Sequence, residues 1–238
     1  MSNLRVVELQ APVTQEAVDN LEQGDIVYIT GLIYTAREGV YKKVLESGSD
    51  LPVDIGSVSN INFHCSPAAS EDGAGGYDVG AVTATASFRF GKWMKQWFEV
   101  SGAKIIIGKG GMPEATYRDI FKPNGARYLS TTGYGAGAML GRGIKRVRDV
   151  HWLAENGIAQ AMWIFEVEKL GPFIVDNDRE GNSLFVTHEK AVNVKLEKLY
   201  ANLKPPALKR YGETTNRADE VIGEPDTQPI RFVNADHN

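Results

Sequence analysis

Cysteine occurs once in the 238-residue chain, at Cys65. A single thiol excludes an internal disulfide and fits a reducing compartment. It also excludes a zinc or iron–sulfur centre built from this chain's cysteines alone, because such centres need several thiolates. Long apolar runs are missing too, so nothing reads as a bilayer span. The opening stretch "MSNLRVVELQAPVTQEAVDNLEQGD" breaks its apolar residues with charges every few positions and lacks the core of a signal peptide. Together these absences point to the cytoplasm. Neither sign of charge dominates: 26 basic residues stand against 30 acidic ones, for a formal net charge of -4. No broad basic field is therefore available to hold nucleic acid or an anionic membrane.

What the chain does have is enough apolar character for a core, at 42% hydrophobic residues, and strands that run into glycine-rich turns. "DIVYITGLIY" (25–34) reads as a strand ending near Gly31, followed by an amphipathic helix in "REGVYKKVLES" with Val40, Tyr41, Val44 and Leu45 on one face. "SEDGAGGYD" is a turn-rich loop and "VGAVTATAS" a strand. Trp93 with Trp97 and Met94 with Phe98 carry helical spacing. "AKIIIG" is a buried strand, "MPEATYRDIF" opens a helix near Pro113, and "ARYLST" is another strand. "TTGYGAGAMLGRG" turns into a short helix. "MWIFEVEKLGPFIVDND" contains two strand-like runs divided at Gly171-Pro172, and a helix is expected from about Glu189 to Leu203. Strands mixed with helices in this order imply an α/β domain with a mixed sheet over 1–204. Residues 205–238 read as a polar, proline-punctuated tail.

Three turns, "TGLIYTAR", "IGKGGM" and "TTGYGAGA", can present backbone N–H groups to an anion, and two of them bring a cation, Arg37 and Lys109. "GKGG" is not a phosphate loop, since Lys109 is followed by Gly110 instead of a hydroxyl residue. "GYGAGAMLG" does not match the dinucleotide fingerprint. Strand alternation would put Thr83, Thr85 and Ser87 on one face, just ahead of Arg89. Taken singly, each turn is a tight connection and each cation a solvated side chain. Taken together, basic groups at strand ends beside hydroxyls suit a small dicarboxylate, with arginine offering a planar fork and lysine a point charge. Cys65 reads as a small buried apolar residue more readily than as a reactive thiol.

These segments, with "NFHCSP" and "DVHWLAENGIAQAMWIFEVEKLGPFIVDNDREGNSL", resemble in order and spacing the β-subunit of class I fumarate hydratase and L(+)-tartrate dehydratase, which is also the C-terminal domain of single-chain class I fumarases. The resemblance covers about Gly24 to Leu184. It implies a swivelling β/β/α fold and a hydro-lyase acting on fumarate, malate or tartrate. It also implies a four-iron–four-sulfur cluster held by three cysteines of a separate α-subunit, in an α2β2 hetero-oligomer, with the open iron as Lewis acid on the substrate hydroxyl. Carried over residue by residue, Arg37, Arg89 and Lys109 would hold the two carboxylates, Thr85 would take part in moving the C3 proton, and His64 would line the site. The family's Gly-Pro-Thr-Thr is replaced by Thr83, Ala84, Thr85 and Ala86, a usual histidine by Tyr41, and a usual glycine by Ser66. Two other readings stay open. One is a catalytically idle dicarboxylate-binding or assembly module, and the other an independent enzyme using Lys109 or Cys65 covalently.

Overall fold

The computed structural model describes residues 4–133 and 135–201. The expected tail from 205 onward lies outside the described residues. All nine described strands fall within a compact unit, Met1–Lys190, and the chain from Ala191 separates from it as a second unit.

The strands are β1 (Val6–Ala11), β2 (Ile26–Thr35), β3 (Ile61–Phe63), β4 (Cys65–Glu71), β5 (Tyr77–Ala84), β6 (Ile105–Gly108), β7 (Arg127–Thr131), β8 (Ile144–His151) and β9 (Met162–Val175). Seven form one mixed sheet in the order β1-β2-β3-β6-β7-β9-β8, while β4 and β5 make an antiparallel hairpin. From β1 through β7 neighbouring strands of that sheet are parallel, and β9 runs antiparallel to β7, β8 and β2. Because β9 pairs with both β7 and β2, the strands β2-β3-β6-β7-β9 close on themselves as a ring. β1 and β8 flank this ring, each paired with one strand of it.

The three isoleucines of β6 illustrate how the sequence builds this. Successive side chains of a strand point to opposite faces. Ile105 and Ile107 accordingly join one apolar cluster with Phe63, Leu129, Trp163 and Phe173, whereas Ile106 joins another with Tyr34, Trp97, Phe121 and Tyr128. All three are fully buried, each contributing about 1.5–3 kcal/mol of hydrophobic stabilisation. Helices supply residues to both clusters: Val18 and Leu140 to the first, and Val40, Ile55, Trp97 and Phe121 to the second. They follow in chain order as α1 (Gln15–Asp19), α2 (Glu38–Tyr41, extended by a π turn Lys42–Glu46), α3 (Ile55–Val58), α4 (Gly91–Ser101), α5 (Glu114–Thr116, extended by a π turn Tyr117–Phe121), α6 (Gly137–Gly143), α7 (Leu153–Asn156) and α8 (Leu184–Tyr200). In α4 the four-residue spacing works as expected, burying Trp93, Met94, Trp97 and Phe98. No helix among the described residues is long and apolar enough to cross a membrane.

Four expectations need correction. Strand β2 does not end at Gly31 but runs on to Thr35. Gly31 sits at φ +118 in an irregular stretch of the β2–β9 register, where a Cβ would lie 2.4 Å from the Ala11 carbonyl oxygen. The glycine therefore marks a bulge and a close approach instead of a strand end. Gly171-Pro172 likewise interrupts nothing: β9 is continuous there, and only its partner changes, from β8 up to Val167 to β7 from Phe173. The threonine ladder also breaks. β5 stops at Ala84, leaving Thr83 exposed while Thr85 and Ser87 are buried. The last helix starts at Leu184, five residues before the expected Glu189.

Candidate functional site

Lys109 follows the last residue of β6, where Gly110 and Gly111, both at positive φ, turn the chain. Gly108 ahead of it admits no side chain, because a Cβ there would lie 1.9 Å from Ser87 Oγ and 2.6 Å from the Tyr128 hydroxyl. That absence lets the segment from Thr85 to Ser87 lie directly against the end of β6. Lys109 N–H donates to Thr85 O at 3.1 Å, Ser87 N–H to Lys109 O at 3.2 Å, and Ala86 and Lys109 form a parallel bridge. On its other side the same segment is tied to β3, with Thr85 N–H donating to His64 O at 2.7 Å. Thr85 and Lys109 are thus backbone neighbours although 24 positions apart in the sequence.

The two arginines come from other directions. Arg37 caps the start of α2 and is half-buried, with Nη1 donating to Ala159 O at 2.7 Å. Its Nε is buried without an acceptor among the described residues. Burial lowers the pKa of the guanidinium from its usual value; Cys65 opposes that shift and the positive charge of Arg89 adds to it. Arg89 itself is exposed at the end of a 3-10 turn, Ser87–Phe90, over the Phe90 ring. Its positive charge and the burial of Arg37 act in the same direction on the Arg37 guanidinium, an environment that a bound anion would relieve.

His64 behaves differently from the other four. It has no exposed surface, and both ring nitrogens are engaged by the chain, Nε2 with Tyr41 Oη and Nδ1 with Ser87 Oγ, each at 2.7 Å. Asn62 Nδ2 donates to the same Tyr41 oxygen at 2.7 Å, and Asn62 Oδ1 accepts from Ala36 N–H at 2.8 Å. The directions follow: the phenol gives its own hydrogen to Nε2, and the imidazole gives its Nδ1 hydrogen to Ser87. A fully buried relay therefore runs Ala36–Asn62–Tyr41–His64–Ser87, joining the residue before Arg37 to the segment that carries Thr85 and Arg89. Burial, assisted by the Arg37 charge, pushes the His64 pKa down to about 3, so the ring is neutral at physiological pH.

Periodicity put Tyr41 on a buried helix face and alternation singled out Ser87, but neither pointed to their hydroxyls. Asn62 gave no signal beyond its place in "NFHCSP". The third glycine turn also reaches this end of the sheet. Lys109 shares a cleft of about 290 Å³ with Thr83, Thr131, Gly133 and Gly135, a cleft that neither arginine lines.

The family described as the fumarase C-terminus matches residues 1–188. The chain belongs to that family. A candidate class I fumarate hydratase of Geobacillus stearothermophilus is 36% identical over 207 residues, 87% of this chain but only 38% of that protein. A candidate L(+)-tartrate dehydratase β subunit of Methanocaldococcus jannaschii is 34% identical over 189 residues, covering 78% of this chain and 94% of the relative. The L(+)-tartrate dehydratase β subunit of Escherichia coli K12 is 26% identical over 205 residues, 86% and 95% of the two chains. This fumarase-family chain thus spans little more than a third of the Geobacillus relative and nearly all of the two β subunits.

Among the described residues, none are grouped to hold a metal cluster. Cys65 is the sole thiol of the sequence and is buried, and burial pushes its pKa far up, against the pull of Arg37. No group of three or more His, Cys, Asp or Glu residues is placed to hold a metal among the described residues. A single protonated thiol does not fit an iron–sulfur cluster, which takes several thiolates.

Proposed function

We propose that this chain is the β-subunit of a hydro-lyase that adds or removes water across the double bond of a small dicarboxylate of the fumarate, malate or tartrate class. The observation that carries the proposal is the meeting of Thr85 with Lys109 at the end of β6, in a chain of the fumarase C-terminus family. The iron–sulfur cluster belongs to a partner α-subunit, in keeping with the unsuitable donor set here. In the complex, Arg37 and Arg89 hold one carboxylate through guanidinium forks and Lys109 holds the other as a point charge. Thr85 assists proton transfer at C3 through its hydroxyl, a role supported by its 7% exposure and by the backbone bonds that fix it on both sides. His64 lies behind this layer, and its role in the proposal is to hold the Thr85–Arg89 segment in register through Ser87.

Anaerobic capture of the chain from its own cells, with iron analysis and a dicarboxylate screen on the recovered complex, tests the reading. A stoichiometric iron-bearing partner and turnover that Lys109→Ala or Arg89→Ala abolishes, with circular dichroism unchanged, support it. Full activity in either variant would remove that residue from the clamp.

The replacement of Gly-Pro-Thr-Thr by Thr83-Ala84-Thr85-Ala86 favours a second reading, a dicarboxylate-binding or assembly module without turnover. Calorimetric binding of malate to the chain without a partner that is lost in Lys109→Ala, alongside a complex inactive toward every dicarboxylate, would select it.

A further inference from the structure

β6 and β7 carry cations at both ends. Lys109 follows β6 at the proposed substrate site, while Lys104 precedes its first residue and Arg127 opens β7 at the opposite end. Five strand residues at about 3.3 Å each put Lys104 about 16 Å from Lys109. The backbone N–H of Arg127 donates to Lys104 O at 2.9 Å, so the two cations are neighbours across the sheet.

Arg127 is 1% exposed and ranks among the largest fully buried side chains. Its Nη1 donates to Ala126 O at 3.1 Å, but Nε and Nη2 are buried with no acceptor among the described residues. Burial lowers its pKa, Asp19 and Asp178 oppose that shift from beyond ion-pair distance and Arg179 adds to it, and a guanidinium stays protonated in proteins. A buried charge normally has a counter-charge, because desolvating an unpaired ion is expensive. No carboxylate lies within ion-pair distance of Arg127 among the described residues.

What lies beside it is a pocket of about 460 Å³ lined by Arg127, Lys104, Lys122, Arg179, Asp19 and Glu180. Both carboxylates are already engaged, Glu180 by Lys122 and Asp19 by Arg179 at 3.9 Å and by Gln15 Nε2 at 3.1 Å. Lys104 Nζ donates to the Asn124 carbonyl at 2.8 Å, a neutral partner that leaves its charge uncompensated. The pocket therefore keeps an excess of positive charge at Arg127 and Lys104. The free Nε and Nη2 donors of Arg127 lie on one edge of the guanidinium, the fork that matches two oxygens of a carboxylate or phosphate group.

We propose that this pocket is a second anion site, at the end of β6 and β7 remote from the substrate site, in which the Nε/Nη2 edge of Arg127 takes two oxygens of a phosphate or carboxylate group and Lys104 adds a point charge. The proposal does not depend on the hydro-lyase reading, since none of its residues belongs to the proposed clamp.

The test is thermal unfolding and calorimetry of the full chain in chloride buffer, titrated with inorganic phosphate in one arm and malate in the other. At about 100 times the dissociation constant, the effective anion raises the melting temperature by roughly 5–10 °C in the wild type and equally in Lys109→Ala. Arg127→Met melts at the same or a higher temperature without anion and loses the anion-dependent rise. Lys104→Ala, a partly exposed position, weakens calorimetric affinity about tenfold and carries the test should Arg127→Met fail to fold. A rise with phosphate identifies a phosphate ligand; a rise with malate that survives Lys109→Ala identifies a carboxylate. No rise with either anion, a rise abolished by Lys109→Ala, or affinity unchanged in Lys104→Ala overturns the proposal.

Discussion

Acid should unfold this protein partly through one histidine. His64 is sealed from solvent, accepts a hydrogen bond from Tyr41 and donates one to Ser87, and its folded pKa is pushed down to about 3 by burial first and the Arg37 charge second. In the unfolded chain a histidine titrates near ~6.5. Between these values the unfolded state binds more protons than the folded one. The contribution of neutral His64 is therefore complete above pH ~6.5 and falls as pH drops through the window, by about 1.4 kcal/mol per unit. From pH 7 to pH 5 the loss is about 2 kcal/mol. The measurement is urea unfolding at both pH values for the wild type and for His64→Gln, whose amide can donate and accept but does not titrate. Carboxylates common to both proteins cancel in the comparison, and the wild type should lose about 2 kcal/mol more than the variant. Losses equal within about 0.5 kcal/mol would refute the buried neutral ring. Should the glutamine variant not fold, the ring-proton resonance of His64 in the wild type serves instead: it should not titrate down to about pH 5, and a midpoint near ~6.5 would carry the same refutation.

Removing the Tyr41 hydroxyl, as Tyr41→Phe, strands His64 Nε2 and Asn62 Nδ2 in a region with no solvent, and unsatisfied buried groups at about 1–3 kcal/mol each predict a loss of about 2–6 kcal/mol by chemical denaturation. A loss under about 0.5 kcal/mol would mean that the relay does not stabilise the fold. Cys65 should resist a disulfide thiol reagent at mildly alkaline pH in the native protein and react fully in denaturant, since it is 1% exposed and its thiol is held protonated; rapid native labelling would revive a covalent role for it. Gly31→Ala should cost about 2–4 kcal/mol, as its Cβ would lie 2.4 Å from the Ala11 carbonyl oxygen at φ +118, and an unchanged melting temperature would contradict the bulge.

The sequence was most legible where one local rule decides the outcome. A run of branched residues buried on both faces gave β6, and four-residue aromatic spacing gave α4. It was least legible where the partner lies far along the chain. β8 (IKRVRDVH) carries five charged or histidine side chains and buries none fully, so it lacks a clear period-two pattern and is a strand only because β9 pairs with it. Ring closure was equally hidden, since it needs one long strand to pair with both β2 and β7. At the site, residue type was enough to nominate Arg37, Thr85, Arg89 and Lys109, but spacing could not show which of them meet.

The relay explains why a change at Tyr41 need not spoil the site. Its hydroxyl links an amide that fixes the strand end before Arg37 to an imidazole that fixes the segment of Thr85. Each member has its donor and acceptor directions set by its neighbour, so the network accepts a substitution only if the new group both donates and accepts at the same place. Tyr41 meets that requirement where phenylalanine would not. The hydroxyl therefore ties the strand end before Arg37 to the segment of Thr85, and under the proposed function the departure from the usual histidine keeps that tie. The departure at Ala84 and Ala86 is of another kind, because it lies in the segment that bridges to Lys109 and involves no side chain of the relay. Activity measured on the assembled enzyme thus tests the Thr83–Ala86 segment, while stability measured on the chain alone tests Tyr41. The two departures can be judged independently.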